Sequence, residues 1–274
     1  MFEKFSRSWS LVKASADVLR AERSLLLFPV LSSLATLLVM ASFAVPVFAL
    51  KLFGNGVSVL GVVVALLFYF CQYSVIVFFN SALVGAATIR LDGGDPTVAD
   101  GLRLAQSKLP TILGYAAIAA TVGVLLQSLR NRDNNLIVRM IGSGLGVAWT
   151  LATFLVVPVL VNRDIGPIDA LKESASLLKR TWGENAIGQL GMGAVFGLLV
   201  FAVVAVTALL AVLAWQVQPA LAIAVIVVGV VGVLLAGVVQ SALSGIYSAA
   251  LYRYATHGEA PAGFGALLQG ATTR

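Results

Sequence analysis

Charge is what this chain has least of. Asp, Glu, Lys and Arg together make up 11% of its 274 residues, against about 25% in soluble domains. Between Asn185 and Tyr252 there is none, and residues 25–50, 52–89, 109–129 and 140–162 also lack all four. A soluble core helix needs a wet face, and these stretches have no such face. The single histidine, His257, leaves no material for a histidine-rich metal site or a histidine-based triad. The single cysteine, Cys71, excludes an internal disulfide and reads as a small buried hydrophobe.

What is present instead is length. A bilayer core takes about 20 apolar residues per helix, and each uncharged run is long enough to span it. The last run is too long for one helix and breaks at Trp215-Gln216-Val217-Gln218-Pro219. Six spans result, in an all-α membrane protein, with short connections and no room for a separate soluble domain. Residues 1–274 therefore read as a single integral membrane domain. The charged lead before the first span is too long for a cleavable signal, so that span is expected to stay as an anchor.

The net charge of +6 is not a nucleic-acid signal, because its distribution follows the spans. With both termini in the cytoplasm, 14 of the 18 Lys and Arg lie inside. Lys51, Arg130, Arg132 and Arg139 lie outside. This is the positive-inside pattern, and it places the chain in the cell inner (cytoplasmic) membrane with both termini cytoplasmic.

Each pair of spans follows a short amphipathic segment. Phe2, Phe5, Trp9, Val12, Ala16 and Leu19 share one helical face, away from Lys4, Arg7, Lys13, Asp17 and Arg20. Val98, Leu102, Ala105 and Leu109 repeat the stripe, as do Ile168, Leu171, Ala175, Leu178 and Trp182. Asp95 is expected to cap a helix beginning at Pro96, and Gly166 precedes Pro167 in the same role. Three amphipathic cytoplasmic-side helices, each leading into a two-helix hairpin, suggest repeat units at 1–90, 95–162 and 167–254. The first helix is expected to lie in the membrane surface, with Phe2, Phe5 and Trp9 in lipid and Lys4, Arg7 and Lys13 towards headgroups. The other two are expected to pack partly on the spans.

Candidate site residues are sparse. Gly142 and Gly146, Gly193 and Gly197, and the stripe Gly237, Ser241, Gly245 and Ala249 have the four-residue spacing of close helix contacts. They read first as packing within the chain, and second as an oligomer interface or a substrate path. Gln72, Asn80 and Gln240 are amides inside spans. Asn80 and Gln240 are expected to hydrogen-bond between helices, the alternative being that they line a substrate cavity. No ionisable residue stands in the middle of a span, which weakens a proton- or ion-coupled transporter. Asp92, Asp95, Asp100, Asp164 and Asp169 offer paired carboxylates that could bind a cation or activate water, yet each sits where caps and turns belong, with Arg90 and Arg103 at hand to balance them. Asp92-Gly93-Gly94-Asp95 lacks the lysine and hydroxyl of a phosphate-binding loop. Pro29, Pro46 and Pro158 interrupt helical bonding without implying a function. No catalytic residues, cofactor or metal follow from any of this, and no enzymatic activity is expected.

Several stretches resemble a widespread family of bacterial and archaeal multi-pass membrane proteins known only as a domain of unknown function. They are Ser24 to Pro29, Phe79-Asn80, Gly93-Gly94-Asp95-Pro96-Thr97, Gly142 to Trp149, Val157-Pro158-Val159, Gly166-Pro167, Ser174 and Thr181-Trp182-Gly183-Glu184. The resemblance covers residues 1 to about 200 and thins over the last two spans. More distantly, the pattern is similar to the membrane domain of some glycerophosphodiester phosphodiesterases. This chain carries no phosphodiesterase domain, so that activity does not transfer. The expectation is a lipid- or partner-protein-binding scaffold whose partners are the lipid bilayer and another membrane protein or a second copy. The alternative is a transporter or channel for a small or amphiphilic solute, which requires a water-accessible cavity near Asn80 or Gln240.

Overall fold

The computed structural model describes the backbone of residues 2–49, 59–131, 136–180, 182–258 and 264. Side chains are described for 10–48, 59–127, 144–179, 193, 195–258 and 264. The described chain is all-helical. In order it forms α1 (Phe2–Ala21), a 3₁₀ turn (Arg23–Leu26), α2 (Leu27–Ala49), α3 (Val59–Leu91), α4 (Val98–Ser107) and α5 (Leu109–Asn131). Then come α6 (Leu136–Thr153), α7 (Val156–Asn162), α8 (Pro167–Arg180), α9 (Trp182–Val217) and α10 (Pro219–His257). Six stretches are long and apolar enough to cross a membrane: Arg23–Phe48, Val59–Leu91, Leu109–Gln127, Gly144–Asn162, Val195–Val217 and Pro219–His257. The chain is a multi-pass membrane protein.

Local chemistry sets where the helices stop and start. α3 ends at Gly93, whose φ of 88° is open to glycine at little cost. There the Gly93 and Gly94 amides donate back to Arg90 O and Ile89 O, each at 3.0 Å. α4 begins two residues later than the sequence suggested, and Asp95 is not its cap. Thr97 is the cap: its hydroxyl oxygen accepts from Asp100 N at 3.2 Å, while Asp100 Oδ2 accepts from Thr97 N at 3.0 Å. This reciprocal box satisfies two orphan amides at once, which Asp95 alone does not offer. Asp95 pairs with Arg90 instead. α8 does begin at Pro167, with the Ala170 amide donating to Gly166 O at 2.9 Å.

The fourth span is two helices, not one. Pro158 has no N–H for the Phe154 carbonyl and its ring crowds that carbonyl, so the helix breaks at Phe154–Leu155. A tighter bond from Phe154 N to Leu151 O, 3.3 Å, closes α6. Ser174 on α8 is fully buried and donates its hydroxyl to Ala152 O at 2.6 Å.

Packing is uneven along the bundle. The buried core is drawn from residues 11–19 of α1, 82–87 of α3, 155–161 around α7, 170–178 of α8 and 242–252 of α10. These segments meet where α3, α7 and α10 end. Towards the opposite end the spans fan apart and carry bare apolar side chains, among them Leu38, Phe48, Phe201, Val212 and Val228. In a bilayer these are lipid contacts. α3 and α10, at about 50 and 58 Å by a rise of ~1.5 Å per residue, are longer than a ~30 Å hydrocarbon layer is thick, so part of each extends beyond it.

The short helices cover that packed end. Gly101 of α4 lies against Ala82 O and the Phe28 ring, where an added Cβ would come within 2.6 Å of both. The expectation that α1 lies in the membrane surface does not hold for its second half. Leu11, Val12, Ala14 and Leu19 are buried in the protein core, with Lys13 and Arg20 left exposed. The reason is that α1 packs against both α9 and α10 at this end.

Candidate functional site: a polar cleft between α3, α6 and α10

α6 leans on α5 and α8, while α10 packs on α9 and α3. The gap left between α6 and α10 has α3 as its floor and encloses about 440 Å³. That volume falls within the ~300–1,000 Å³ usual for small-molecule sites. Asn80 reaches it from α3, Thr150 and Thr153 from α6, and Gln240, Ser241, Ser244 and Ser248 from α10. Phe154 and Val157, flanking the break made by Pro158, supply apolar wall. Thr150 and Gly237 are exposed and form its rim, so the cleft opens sideways on the lipid-facing surface.

Asn80 and Gln240 are both half-buried, and neither side chain has a hydrogen-bond partner among the described residues. The structure therefore does not show the expected interhelical bond at either amide; both line the same cleft. Gln72 is different: its Nε2 donates to Thr36 O of α2 at 3.4 Å, and its Oε1 is buried without a partner. It takes no part in the cleft.

The glycines divide sharply. Gly245 packs tightly, since an added Cβ would lie 2.4 Å from Leu83 Cδ2. Gly146, Gly193, Gly197 and Gly237 face open space, with nothing within 4 Å of an added Cβ. For these four the close packing expected within the chain is absent: α10 packs on α9 through Gly229, against Thr207, and not through these positions. The side-chain position of Gly142 lies outside the described residues, as do those of Phe2, Lys4, Phe5, Arg7 and Trp9. Lys13 is exposed beside a groove of about 490 Å³ shared with Asp17 and Arg90.

Beyond Ser248 along α10 lies a polar collar. One turn further along, Tyr252, Arg253 and His257 of α10 meet Thr88 and Asp92 of α3 and Asn162 and Arg163 at the end of α7, around a second cavity of about 540 Å³. Arg253 donates to Leu91 O at 2.7 Å and pairs with Asp92. Arg163 pairs with Glu173 at 3.3 Å, and a hydrogen bond to Tyr252 pushes its pKa up further. Lys108 holds Asp164 and Arg163 O. Three helix C-termini converge here, and their partial negative charge suits the arginines. The acidic residues are thus engaged in pairs, and no cluster of three or more metal-ligating side chains occurs among the described residues. Hydrogen bonds from the Thr97 hydroxyl and backbone amide hold the Asp100 carboxyl below the usual range.

Sequence reading did not single out Thr150, Thr153, Ser244 and Ser248. The spacing of Gln240, Ser244 and Ser248, one polar residue per turn of α10, was the available signal.

No curated protein and no solved structure matches the chain. Residues 59–264 match the model of a family of unknown function, DUF6159. The match takes in α9 and α10, where the motif resemblance thinned, and leaves out α1 and α2. The chain is a multi-pass membrane protein belonging to this family of unknown function.

Proposed function

We propose that this chain is a non-enzymatic membrane protein that binds an amphiphilic molecule. The polar part of that molecule enters the α3–α6–α10 cleft sideways from the bilayer. The observation that supports this most is the pairing of two partnerless amides, Asn80 and Gln240, in one cavity. A bare amide in an apolar setting costs about 1–3 kcal/mol unless something satisfies it. A ligand or water held at the cleft supplies what the protein does not. The charged collar is then the cytoplasmic end of a protein in the inner membrane, by the positive-inside bias of Lys and Arg. Transport of the bound molecule is a natural extension, since a second, polar cavity lies beyond the cleft towards the charged end of α10.

Purification in nanodiscs formed directly from the native membrane, followed by lipid and small-molecule mass spectrometry, tests this. An amphiphile retained by the native protein and lost in both Asn80→Leu and Gln240→Leu supports the reading. An identical complement in native and variant protein counts against it. A second reading, a docking face for another helix, draws on Gly193 and Gly197, which present exposed backbone with nothing against it. A stoichiometric protein companion in the same preparation, lost in Gly197→Leu, would favour that reading.

A further inference from the structure

The cleft's hydrogen-bonding character narrows the ligand. Among the described residues, no Asp, Glu, Lys, Arg or His lines it. A charged head group brought there from the membrane surface would have no counter-charge, and an unpaired charge at membrane depth is costly. Three of the five hydroxyls have already committed their proton. Thr150 donates to Gly146 O at 2.9 Å, Thr153 to Trp149 O at 2.8 Å and Ser248 to Gly245 O at 2.8 Å. Thr150 and Ser248 are left with oxygen lone pairs and nothing to donate, while the Thr153 hydroxyl also meets the Tyr115 side chain.

Asn80 Oδ1, Gln240 Oε1, Ser241 and Ser244 add further acceptors. Donors come from the two amide groups and the latter two serines. The wall is therefore neutral, and it offers donors and acceptors in comparable number. A phosphate or carboxylate, which only accepts, would leave most of these oxygens unmatched and its charge uncompensated. A quaternary ammonium has no donor, and the cleft holds no carboxylate for its charge. A hydroxyl both donates and accepts, and carries no charge.

We infer that the cleft selects an uncharged amphiphile with a hydroxyl-bearing head, of the glycerol or sugar kind. This rests on the cleft being a binding site at all. The apolar chains stay in lipid outside the rim at Thr150 and Gly237, and the hydroxyls face Asn80, Gln240 and the serines.

The test uses three probes with the same acyl chains: dioleoylglycerol, dioleoyl phosphatidic acid and a dioleoyl trimethylammonium lipid. Each is present at equal mole fraction in phosphatidylcholine nanodiscs holding the full chain, and native mass spectrometry reads the bound fraction. Dioleoylglycerol is expected to be favoured about tenfold, the worth of one net hydrogen bond of about 1–1.5 kcal/mol. Asn80→Leu and Gln240→Leu should abolish that preference. Ser244→Ala, a smaller change that spares the fold, should reduce it. Preference for the anionic or cationic probe that depends on the same residues would overturn the ligand class while leaving the site intact. Indifference of all three probes to all three substitutions would overturn the site as well. Displacement by free glycerol would show that the head alone is recognised and would overturn the amphiphile.

Discussion

Ser174 Oγ lies 2.6 Å from Ala152 O, joining α8 to the last turn of α6 beside the Phe154–Leu155 break. The last carbonyls of a helix have no helical partner, and here one of them is buried in a membrane protein. Ser174 is fully buried and matches it. Ser174→Ala removes this donor without changing shape much. Stability should fall by about 1 kcal/mol, near the middle of the range for such bonds in membrane proteins. Thermal unfolding in detergent, with Ser176→Ala as an exposed control, reads the difference.

Pro158 makes the break, so Pro158→Ala should mend it. The restored amide can donate to Phe154 O, and α6 and α7 can join into one helix. Phe154 and Val157 would then rotate relative to Thr150, narrowing or reshaping the cleft. Thermal stability is expected to hold or rise while retention of the cleft's ligand falls. Equal loss of both would mean that the kink serves packing alone.

Gly245 and Gly237 stand two turns apart on one face of α10 and should respond oppositely to alanine. Gly245→Ala drives a methyl to 2.4 Å from Leu83 Cδ2. Overpacking of that kind costs about 1–3 kcal/mol, against a helix-propensity gain of at most ~1. Gly237→Ala meets nothing within 4 Å and keeps the propensity gain, so it should be neutral or mildly stabilising. Paired melts of the two variants decide the matter.

The α4 cap carries a pH dependence with a defined sign. Hydrogen bonds from Thr97 lower the Asp100 pKa in the folded chain, so the ionised form stabilises the fold. That contribution is fully present above the unfolded value, about 3.9 for Asp, and is lost as pH falls through the lower folded value. Asp100→Asn should therefore be less stable than the native protein at neutral pH, with the gap closing in acid below the ordinary carboxylate range. Hydrogen exchange of the Asp100 and Gly101 amides, followed against pH, is the direct readout. A gap that persists unchanged in acid would assign the effect to something other than Asp100 ionisation.

The spans were legible because a run of twenty uncharged residues has few other uses, and the uncharged stretches reproduce all six. The cap at Thr97 was within reach, since Thr97 and Asp100 have capping-box spacing, but Asp95 next to proline was the more familiar signal. The glycines show a harder limit. Spacing tells which face a residue shares, so Gly237 and Gly245 looked alike. Only the divergence of α6 from α10 separates the packed one from the open one. The Arg253–Asp92 pair joins residues 161 apart, and nothing local in the sequence marks it. Pro158 was visible as a helix breaker, yet that the break lies beside the polar face of α10 depends on the tertiary arrangement.

The proposed binding role depends on a polar, laterally open cleft within the membrane at Asn80 and Gln240. In a Cys71→Ser background, a spin label placed at Gln240→Cys can be compared with one at Val228→Cys, an exposed position on the same helix. Collision rates with a water-soluble nickel chelate and with oxygen report polarity and access at each. Position 240 should favour the nickel reagent clearly over position 228 while still meeting oxygen. If both positions show the same oxygen-dominated, nickel-shielded behaviour, the cleft is dry and closed and the proposed binding role is wrong.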